Sequence, residues 1–298
     1  MGTPQFAVPI LEALNEKYEV VLAVSQPNRV KKKGVFIDTP VAECAKKLGV
    51  EIFQPEKIKD DYELILSKGA DVLVTAAYGQ YIPSRILNKF KYKLNVHGSL
   101  LPKHRGGAPI QRCLINGDRQ TGVCIMEMTK KLDAGKVYAT SVYDINEDDN
   151  SSLLFEKLSI IGRDLLIENI EDIYNGINIG KEQDEEYATY SPNILPEEEK
   201  INLNNTSSSI CNQVRGLSYE PGAYLLVNDI KLKVFKCKPI EYSGNEEPGT
   251  VLCTKKKILL KTLDGAIELL EVLMPGKKII TGRDFSNGQK IFIDGNIV

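Results

Sequence analysis

Two polar side chains that could act together, Asn95 and His97, stand two residues apart in the run Leu94-Asn95-Val96-His97-Gly98. Alternation of apolar and polar residues before a glycine is typical of a half-buried β-strand that ends in a loop, so both side chains lie on one face. An amide that donates a hydrogen bond and an imidazole that moves a proton suit a reaction with a tetrahedral intermediate. The same pattern also fits a structural histidine satisfied by a neighbour, and at this point both interpretations stay open.

Asp133 is the carboxylate best placed to join this pair. It lies in the run Leu132-Asp133-Ala134-Gly135, a tight loop after a predicted strand over 123–128. Loops at strand ends present side chains at the edge of a sheet, where catalytic residues are common. Its position in the sequence makes Asp133 a candidate but does not assign it a role.

The chain lacks the sequence motifs of several other kinds of catalytic or cofactor-binding site. It has neither a glycine-rich dinucleotide or Walker loop nor a nucleophile elbow. Its two histidines exclude a multi-histidine metal site. Its six cysteines are scattered and include no close pair of the kind found in zinc or redox motifs, so we expect reduced packing residues.

The elements that must position these side chains alternate between helix and strand. We predict helices from Pro4, over 39–48, over 60–68, from Pro109 and over 151–174, and strands over 18–25, 50–53, 70–76, 94–97, 123–128 and 137–143. This alternation predicts an α/β fold with a Rossmann-like parallel sheet. Sites in such sheets lie at the carboxyl ends of the strands, which is where Asn95 and His97 are.

The length of 298 residues favours two domains. We predict a first domain over 1–180, an acidic, proline-containing linker over 181–202, and a second domain over 203–298. The second domain begins with a short helix over 208–217 and continues as short β-prone runs separated by Gly, Asn and Pro, which predicts a small antiparallel, OB-like β-barrel.

Composition and charge narrow the class of protein. Hydrophobic residues make up 42% and charged residues 26%, as in ordinary globular proteins. The chain lacks a long apolar run and a signal-peptide pattern, so we expect a cytoplasmic protein that does not contact membranes. Residues 200–298 carry 14 basic and 10 acidic residues, whereas residues 1–199 carry 24 and 30. This asymmetry fits either a nucleic-acid partner or a solvated surface.

Motifs along the whole chain carry a resemblance to a known family. They are the opening run GTPQFAVP, the basic loop that starts with QPNR, the central run NVHGSLLPKHRGGAPIQ, and the later runs TGVCIMEM and LDAG. With the landmarks Arg215-Gly216 and Pro275-Gly276-Lys277, they resemble the folate-dependent formyltransferases from Met1 to the C-terminus.

The resemblance implies an activity and a catalytic trio. The activity is transfer of the formyl group of 10-formyltetrahydrofolate to the α-amino group of initiator methionyl-tRNA, for translation initiation, without a metal. In the trio, Asn95 holds the developing oxyanion, His97 stabilises it and moves protons, and Asp133 orients the imidazole and raises its basicity. We expect the protein to act as a monomer.

The folate and tRNA contacts follow from the resemblance and from position beside the trio. The resemblance places folate on Ser99, Leu100, Leu101 and Pro102, and the neighbouring loop adds Tyr78, Gly79, Tyr81 and Ile82. For the two tyrosines, ordinary packing is the alternative. The basic loop with Arg29, Lys31, Lys32 and Lys33 would contact tRNA phosphates, unless it is merely solvated. Lys255–Lys257 and Lys277–Lys278 are secondary candidates.

Two departures from the family pattern have consequences for stability and for detail. The family has a central β-strand before the GTP loop, whereas this chain starts at the loop, so we expect that strand to be missing and the chain to have low stability. The run Ser218-Tyr219-Glu220-Pro221 replaces a Trp-containing turn. This replacement weakens detailed expectations about the region around the turn and leaves the chemistry intact.

Two rival functions remain open. One is a folate formyltransferase that acts on a small amine, such as a nucleotide sugar or glycinamide ribonucleotide. The basic second domain disfavours it. The other is an RNA-binding module with a degenerate folate site, which an intact Asn95, His97 and Asp133 disfavours.

Overall fold

The computed structural model describes residues 1–30, 36–288 and 291–298 and divides into two compact units. The first unit consists of Met1–Pro109, Gln120–Asp144 and Phe155–Pro192, and the second of Ile110–Arg119, Ile145–Leu154 and Asn193–Val298. Each unit is therefore assembled from segments that are distant in the sequence.

The predicted helices and strands of the first 180 residues are present. The helices are α1 (Val8–Lys17), α2 (Pro40–Leu48), α3 (Glu63–Ser67), α4 (Ser84–Leu87), α5 (Pro109–Asn116) and α6 (Ser151–Tyr174), with a 3₁₀ turn at Gln5–Ala7. The strands are β1 (Ala23–Val24), β2 (Arg29–Val30), β3 (Phe36–Ile37), β4 (Ile52–Phe53), β5 (Val72–Thr75), β6 (Tyr92–His97), β7 (Gln120–Glu127) and β8 (Val137–Asp144). Of these elements, we did not predict α4, β2 and β3, which the structure adds.

Local sequence signals fix the ends of α2. The Thr39 hydroxyl accepts a hydrogen bond from the Ala42 N–H at 3.2 Å, and Pro40 occupies the first helical position. Gly49 ends the helix with a φ of 71°, a conformation that favours glycine. The start and end of this helix were therefore predictable from its residues.

The parallel pairing that we predicted is confirmed for part of the first unit. β1 pairs with β4 and β5 pairs with β6, both in parallel. β6, β7 and β8 continue the β5 sheet with antiparallel pairing. A parallel crossover needs about a dozen or more residues. Because the connection over 128–136 is shorter than that, β8 runs back beside β7, and the sheet is mixed rather than wholly parallel.

A cavity of about 680 Å³ separates β1 from β5. Residues 18–24 and 68–74 line it, together with residues of α1 and of the end of α6. The amine of Met1 donates to the Val74 carbonyl at 2.7 Å, and the Gly2 N–H donates to the Val24 carbonyl at 2.9 Å, so Met1 and Gly2 lie between the two strands. The cavity explains why the predicted strand over 18–25 is paired only at Ala23–Val24.

The predicted linker over 181–202 is wrong for its first half. Residues 181–192 belong to the first unit because main-chain hydrogen bonds hold them there. Lys181 and Val137 exchange two bonds of 2.8 Å, and the Ser191 N–H donates to the Arg105 carbonyl at 2.6 Å. Most side chains of this segment are exposed and several are acidic, which is why its composition resembles that of a linker.

The second unit contains a helix and an antiparallel sheet. The helix α7 (Ser207–Leu217) is confirmed, with the Thr206 hydroxyl as its N-cap. The strands are β9 (Ala223–Val227), β10 (Ile230–Ile240), β11 (Val251–Cys253), β12 (Ile258–Lys261), β13 (Ala266–Leu273) and β14 (Ile280–Thr281), and α8 (Gly282–Gly288) follows. Their order is β11-β12-β13-β10-β9, with β14 also on β13. The predicted antiparallel architecture is confirmed and takes the form of a half-barrel.

Apolar side chains from α7 and from these strands form the core of the second unit. They include Ile210, Leu217, Leu232, Val234, Leu260 and Ile267, all completely buried. None of the helices in the described part of the chain combines the length and the apolarity that crossing a membrane requires.

Candidate active site

Asn95 and His97 lie at the carboxyl end of β6, on the same face of the strand. His97 is 5% exposed, and Asn95 is half-buried. Because β5 runs parallel to β6, with Thr75 opposite Asn95, the loops after both strands lie at the same edge of the sheet. This is the strand-end location that the sequence predicts for the site.

The imidazole of His97 is held in one tautomer. Its Nε2 lies 3.1 Å from the main-chain carbonyl of His104. Since a carbonyl can only accept a hydrogen bond, Nε2 carries the proton and the Nδ1 of the neutral ring has a free lone pair. Nδ1 is therefore the atom that can take up a proton.

The structure brings Asp133 to that nitrogen. Its Oδ2 lies 3.8 Å from His97 Nδ1 and accepts a hydrogen bond from the Gly106 N–H at 2.8 Å. The Asp133 side chain is 16% exposed, and its φ of 45° is unusual for a residue with a side chain. The carboxylate is thus close enough to stabilise a protonated imidazole without being hydrogen-bonded to the neutral one.

Thr75 orients the side chain of Asn95. The buried Thr75 hydroxyl lies 2.8 Å from Asn95 Oδ1 and also approaches the Leu94 carbonyl and the sulfur of Met128. With Oδ1 occupied in this way, the Nδ2 group of Asn95 keeps its two N–H donors for another partner. Thr75 was not among the site residues predicted from the sequence, although its position opposite Asn95 follows once β5 and β6 are paired in register.

Residues 181–191, which we call the strap, lie against the loop that follows His97. The Arg105 N–H donates to the Thr189 carbonyl at 2.8 Å, and the Ser191 N–H donates back to the Arg105 carbonyl. The Ser191 hydroxyl lies 2.8 Å from His104 Nδ1, and the His104 N–H donates to the Thr189 hydroxyl. A Cβ on Gly106 would meet the Ser191 carbonyl at 2.6 Å, so the strap needs a glycine there.

Arg105 joins the strap through its side chain as well. Its guanidinium is completely buried and donates to Gln183 Oε1 and to both carboxylate oxygens of Glu185. Hydrogen bonds from Arg105 and then from Lys131 hold the pKa of Glu185 at about 2. Sequence reasoning missed Gln183, Thr189 and Ser191, because the predicted linker contained them. The short β-prone run Ala188-Thr189-Tyr190-Ser191 was the available signal.

Of the four predicted folate residues in the loop after β5, two are buried and two are exposed. The side chains of Tyr78 and Ile82 are each 4% exposed and pack in an apolar cluster with Val24 and Ile86, and burial raises the pKa of Tyr78 to about 12. Both side chains pack in this cluster, and the predicted folate contacts at Tyr78 and Ile82 stay predictions. Gly79 and Tyr81 are exposed, Tyr81 by 65%.

The loop after β6 presents mainly apolar surface. Ser99 is completely buried, and its hydroxyl donates to the Lys103 carbonyl at 2.8 Å, so the hydroxyl is turned into the loop. The predicted folate contact at Ser99 stays a prediction. Leu100, Leu101 and Pro102 are half-buried and offer an apolar wall.

The basic residues predicted to contact RNA are described only in part. Lys31, Lys32 and Lys33 lie outside the described residues, and Arg29 is described only as a main-chain residue of β2. Lys255–Lys257 and Lys277–Lys278 are exposed on the second unit. In the described ranges, no group of three or more His, Cys, Asp or Glu side chains could hold a metal ion.

Comparison with known proteins identifies the family. The formyl transferase family model matches residues 1–170, and the model of the formyl transferase C-terminal domain matches residues 193–290. The chain belongs to the formyl transferase family. Among its curated relatives, the methionyl-tRNA formyltransferase of Lactobacillus johnsonii is 43% identical over 97% of this chain and 94% of its own length. That of Streptococcus pneumoniae is 42% identical, with the same coverage.

Solved structures of the formyl transferase family share the fold. A methionyl-tRNA formyltransferase from Clostridium thermocellum matches 94% of this chain and 97% of its own, with a TM-score of 0.57 and 15% identity. An N-formyltransferase from Helicobacter canadensis, in complex with folinic acid and dTDP-3-aminofucose, matches 90% and 96%, with a TM-score of 0.70 and 20% identity.

Proposed function

We propose that this chain transfers the formyl group of 10-formyltetrahydrofolate to the α-amino group of initiator methionyl-tRNA, giving N-formylmethionyl-tRNA and tetrahydrofolate for translation initiation. The observation that carries the proposal is the single free nitrogen of His97, which faces the Asp133 carboxylate at 3.8 Å. The relatives that are 42–43% identical along nearly the whole chain support methionyl-tRNA as the acceptor.

Asn95 stabilises the charge that develops during transfer. When the amine lone pair forms a bond to the formyl carbon, the C=O π electrons move to the oxygen. The Asn95 Nδ2 group donates a hydrogen bond to that oxygen, while Thr75 holds Oδ1. A donor fixed before the reaction needs no reorganisation in the transition state.

His97 moves the protons. The attacking nitrogen becomes positively charged as its bond to carbon forms, and Nδ1 of His97 accepts its proton. The same proton is then available for the folate nitrogen, which receives the electron pair of the breaking C–N bond. The His104 carbonyl keeps Nε2 protonated throughout, so the ring presents the same atom in both steps.

Asp133 stabilises the imidazolium that forms between these two steps. Its carboxylate is near Nδ1 but is anchored by the Gly106 N–H, so it stays in place when the ring becomes charged. A negative charge at this distance stabilises the imidazolium during the reaction.

The chemistry of the loops fits the folate co-substrate, which supplies the formyl group when bound. The half-buried Leu100, Leu101 and Pro102 offer apolar surface next to the polar pair on β6. Tyr81 is exposed in the loop at the same sheet edge and can cover a flat ring.

The proposed tRNA contacts are basic residues of the chain. We assign phosphate contacts to Arg29, Lys31, Lys32 and Lys33, with Lys255–Lys257 and Lys277–Lys278 on the basic second unit as further contacts. A translation enzyme of this kind works in the cytoplasm, and we expect it to act as a monomer.

A transfer assay with two acceptors tests the function. The protein is incubated with 10-formyltetrahydrofolate and either methionyl-tRNA or glycinamide ribonucleotide, and the formylated product is measured. We expect transfer to methionyl-tRNA alone. Transfer to the small amine alone would replace the proposal with the small-amine alternative. Folate-independent RNA binding with no transfer would support the RNA-binding alternative.

A further inference from the structure

Gln183, in the strap, makes four hydrogen bonds through one side-chain amide. Its Nε2 donates to the main-chain carbonyls of Asp133 at 2.8 Å and Gly135 at 2.7 Å. Its Oε1 accepts from Arg105 Nε at 3.1 Å and from Nη2 at 2.8 Å. Gln183 therefore connects the loop that carries Asp133 to the loop that follows His97.

The orientation of this amide follows from the chemistry of its partners. A guanidinium can only donate hydrogen bonds, and two carbonyls can only accept them. Oε1 must therefore face Arg105 and Nε2 must face the Asp133 loop, since a flipped amide would break all four bonds. The donor and the acceptor ends of the side chain thus have separate roles, which a substitution can separate.

The Asp133 loop needs a support of this kind. Asp133 has a φ of 45°, which lies in the left-handed region that residues with a side chain rarely adopt. The neighbouring Lys131 and Leu132 are 59% and 58% exposed, so the preceding residues contribute little packing. Two hydrogen bonds to the carbonyls on either side of Ala134 hold the loop in the conformation that turns the carboxylate toward His97.

Arg105 closes the arrangement into a ring. The next residue, Gly106, donates its N–H to the Asp133 carboxylate, while the Arg105 guanidinium binds Gln183, which in turn binds the Asp133 carbonyl. Main chain and side chain of Asp133 are thus tied to the same short stretch. Because Arg105 is completely buried, it does not move without breaking these bonds.

We propose that Gln183 is a positioning residue for formyl transfer: it holds the Asp133 carboxylate at Nδ1 of His97. The proposal rests on the proposed function for its kinetic consequence, whereas its structural consequence, the placement of Asp133, is independent of any activity.

The substitution Gln183→Glu separates the two ends of the amide. Glutamate has the same shape and keeps an acceptor for Arg105, but its second oxygen replaces a donor with an acceptor that faces two carbonyls. A displaced catalytic group costs about 100-fold per ångström. We expect kcat to fall about 10- to 100-fold while KM for both substrates changes by less than about threefold.

Glu185→Gln is the matched control. Glu185 binds the same guanidinium, and its other partner among the described residues is the exposed side chain of Lys131 rather than the main-chain carbonyls of Asp133 and Gly135. Glu185→Gln therefore removes a charge beside Arg105 but keeps the two hydrogen bonds that Gln183 donates to the Asp133 loop. We expect its kcat to stay within about threefold of the parent protein. An equal fall in both variants would assign the effect to Arg105 and overturn the proposal.

Asp133→Asn supplies an epistasis test. If Gln183 acts through Asp133, then Gln183→Glu should lower kcat by less than about threefold when Asp133 is already replaced. If the fold-decrease in kcat of the double variant equals the product of the two single fold-decreases, Gln183 acts through another group.

A spectroscopic readout separates this proposal from the proposed function. The chain has two histidines, so the imidazole ¹⁵N signals of His97 and His104 can be resolved. We expect Gln183→Glu to shift the His97 signals at constant pH more than Glu185→Gln does. A protein with no transfer activity but with this shift would refute the function and support the positioning role. Unchanged His97 signals would refute the positioning role. Should Gln183→Glu not fold, Gln183→Met removes donor and acceptor at similar length and is judged on the same outcomes.

Discussion

At the residue scale, the candidate site leaves one atom free on each of its two polar strand residues. Thr75 occupies Oδ1 of Asn95, and the His104 carbonyl occupies Nε2 of His97. What remains are the Nδ2 donors of Asn95 and the lone pair of His97 Nδ1. A reaction that generates an oxyanion and releases a proton needs one donor and one acceptor, which is what these residues provide.

The first prediction concerns Asn95. Asn95→Ala removes the proposed oxyanion donor while leaving His97 and Asp133 in place. Loss of one such donor typically costs about 10²–10³ in rate, so we expect kcat to fall by that factor with little change in KM. Steady-state formyl transfer to methionyl-tRNA measures both constants. A variant with more than about a tenth of the parent kcat would remove Asn95 from the mechanism.

The second prediction concerns Thr75, which touches the site only through Asn95. Thr75→Val removes the buried hydroxyl but keeps a β-branched side chain that suits a strand. With Oδ1 of Asn95 unpaired, its amide can rotate away from the substrate, and we expect kcat to fall about tenfold. Thr75→Ser keeps the hydroxyl and is the control, with kcat expected near the parent value. Equal kcat in the valine and serine variants would show that the amide is held without Thr75.

At the element scale, the sequence predicted the parts of the fold that local patterns determine. Capping residues marked α2, and alternation marked β6, so the strand-end location of Asn95 and His97 was predictable. The antiparallel direction of β7 and the contact of Asp133 with His97 depend on pairing between distant segments. Spacing could only nominate Asp133, and the quoted family motifs supplied its role.

The strap is the element that we predicted wrongly from the sequence, as part of a linker. Its residues are mostly exposed and carry little apolar periodicity, so composition suggested a linker. It is held by polar contacts instead, in which Gln183, Thr189 and Ser191 each bind a loop residue of the site. Hydrogen bonds of this kind leave no periodic signal, because polar partners are not spaced by the geometry of a helix or a strand.

The third prediction concerns the acid sensitivity of the strap. The pKa of Glu185 is about 2 in the folded protein, below its ordinary value of 4.5, because Arg105 and Lys131 bind the carboxylate. A depressed carboxyl pKa stabilises the fold above the unfolded value, and this contribution is lost as the pH falls from about 4.5 toward 2. We expect amide hydrogen exchange in residues 181–191 to accelerate in that range.

Glu185→Gln is the control for this effect. The variant should show faster exchange in the strap than the parent protein at neutral pH and a weaker dependence on acid. The difference between the two proteins should shrink as the pH falls toward 2. A difference that stays constant from pH 7 to the acid range would mean that another group controls the strap.

At the scale of the whole molecule, the cavity between β1 and β5 has a consequence for stability. The cavity leaves residues 18–22 without strand pairing, and burial lowers the pKa of the Met1 amine from 8.0 to about 5. For a protein that starts at Met1, the unfolded chain binds more protons at this amine between these values than the folded protein does, so its stability should rise with pH from about 5 to 8.

The fourth prediction fills this cavity. A five-residue extension of valine and isoleucine ahead of Met1 would continue its pairing with Val74 and lie along residues 18–22 and 68–72. Buried parallel strands are apolar throughout, and each such side chain contributes about 1.5–3 kcal/mol when buried. Part of this gain is offset by the ordering of each residue, at about 1–2 kcal/mol. We expect a net gain of a few kcal/mol and a melting temperature higher by about 5–10 °C.

A glycine–serine extension of the same length separates the two effects of this change. Both extensions turn the Met1 amine into an amide, so both should abolish the rise in stability between pH 5 and 8 that the amine causes. Only the apolar extension can fill the cavity, and only it should raise the melting temperature well above that of the parent chain. Thermal unfolding of the three proteins across this pH range measures both effects. Equal melting temperatures for the two extended proteins would show that an added apolar strand does not occupy the cavity.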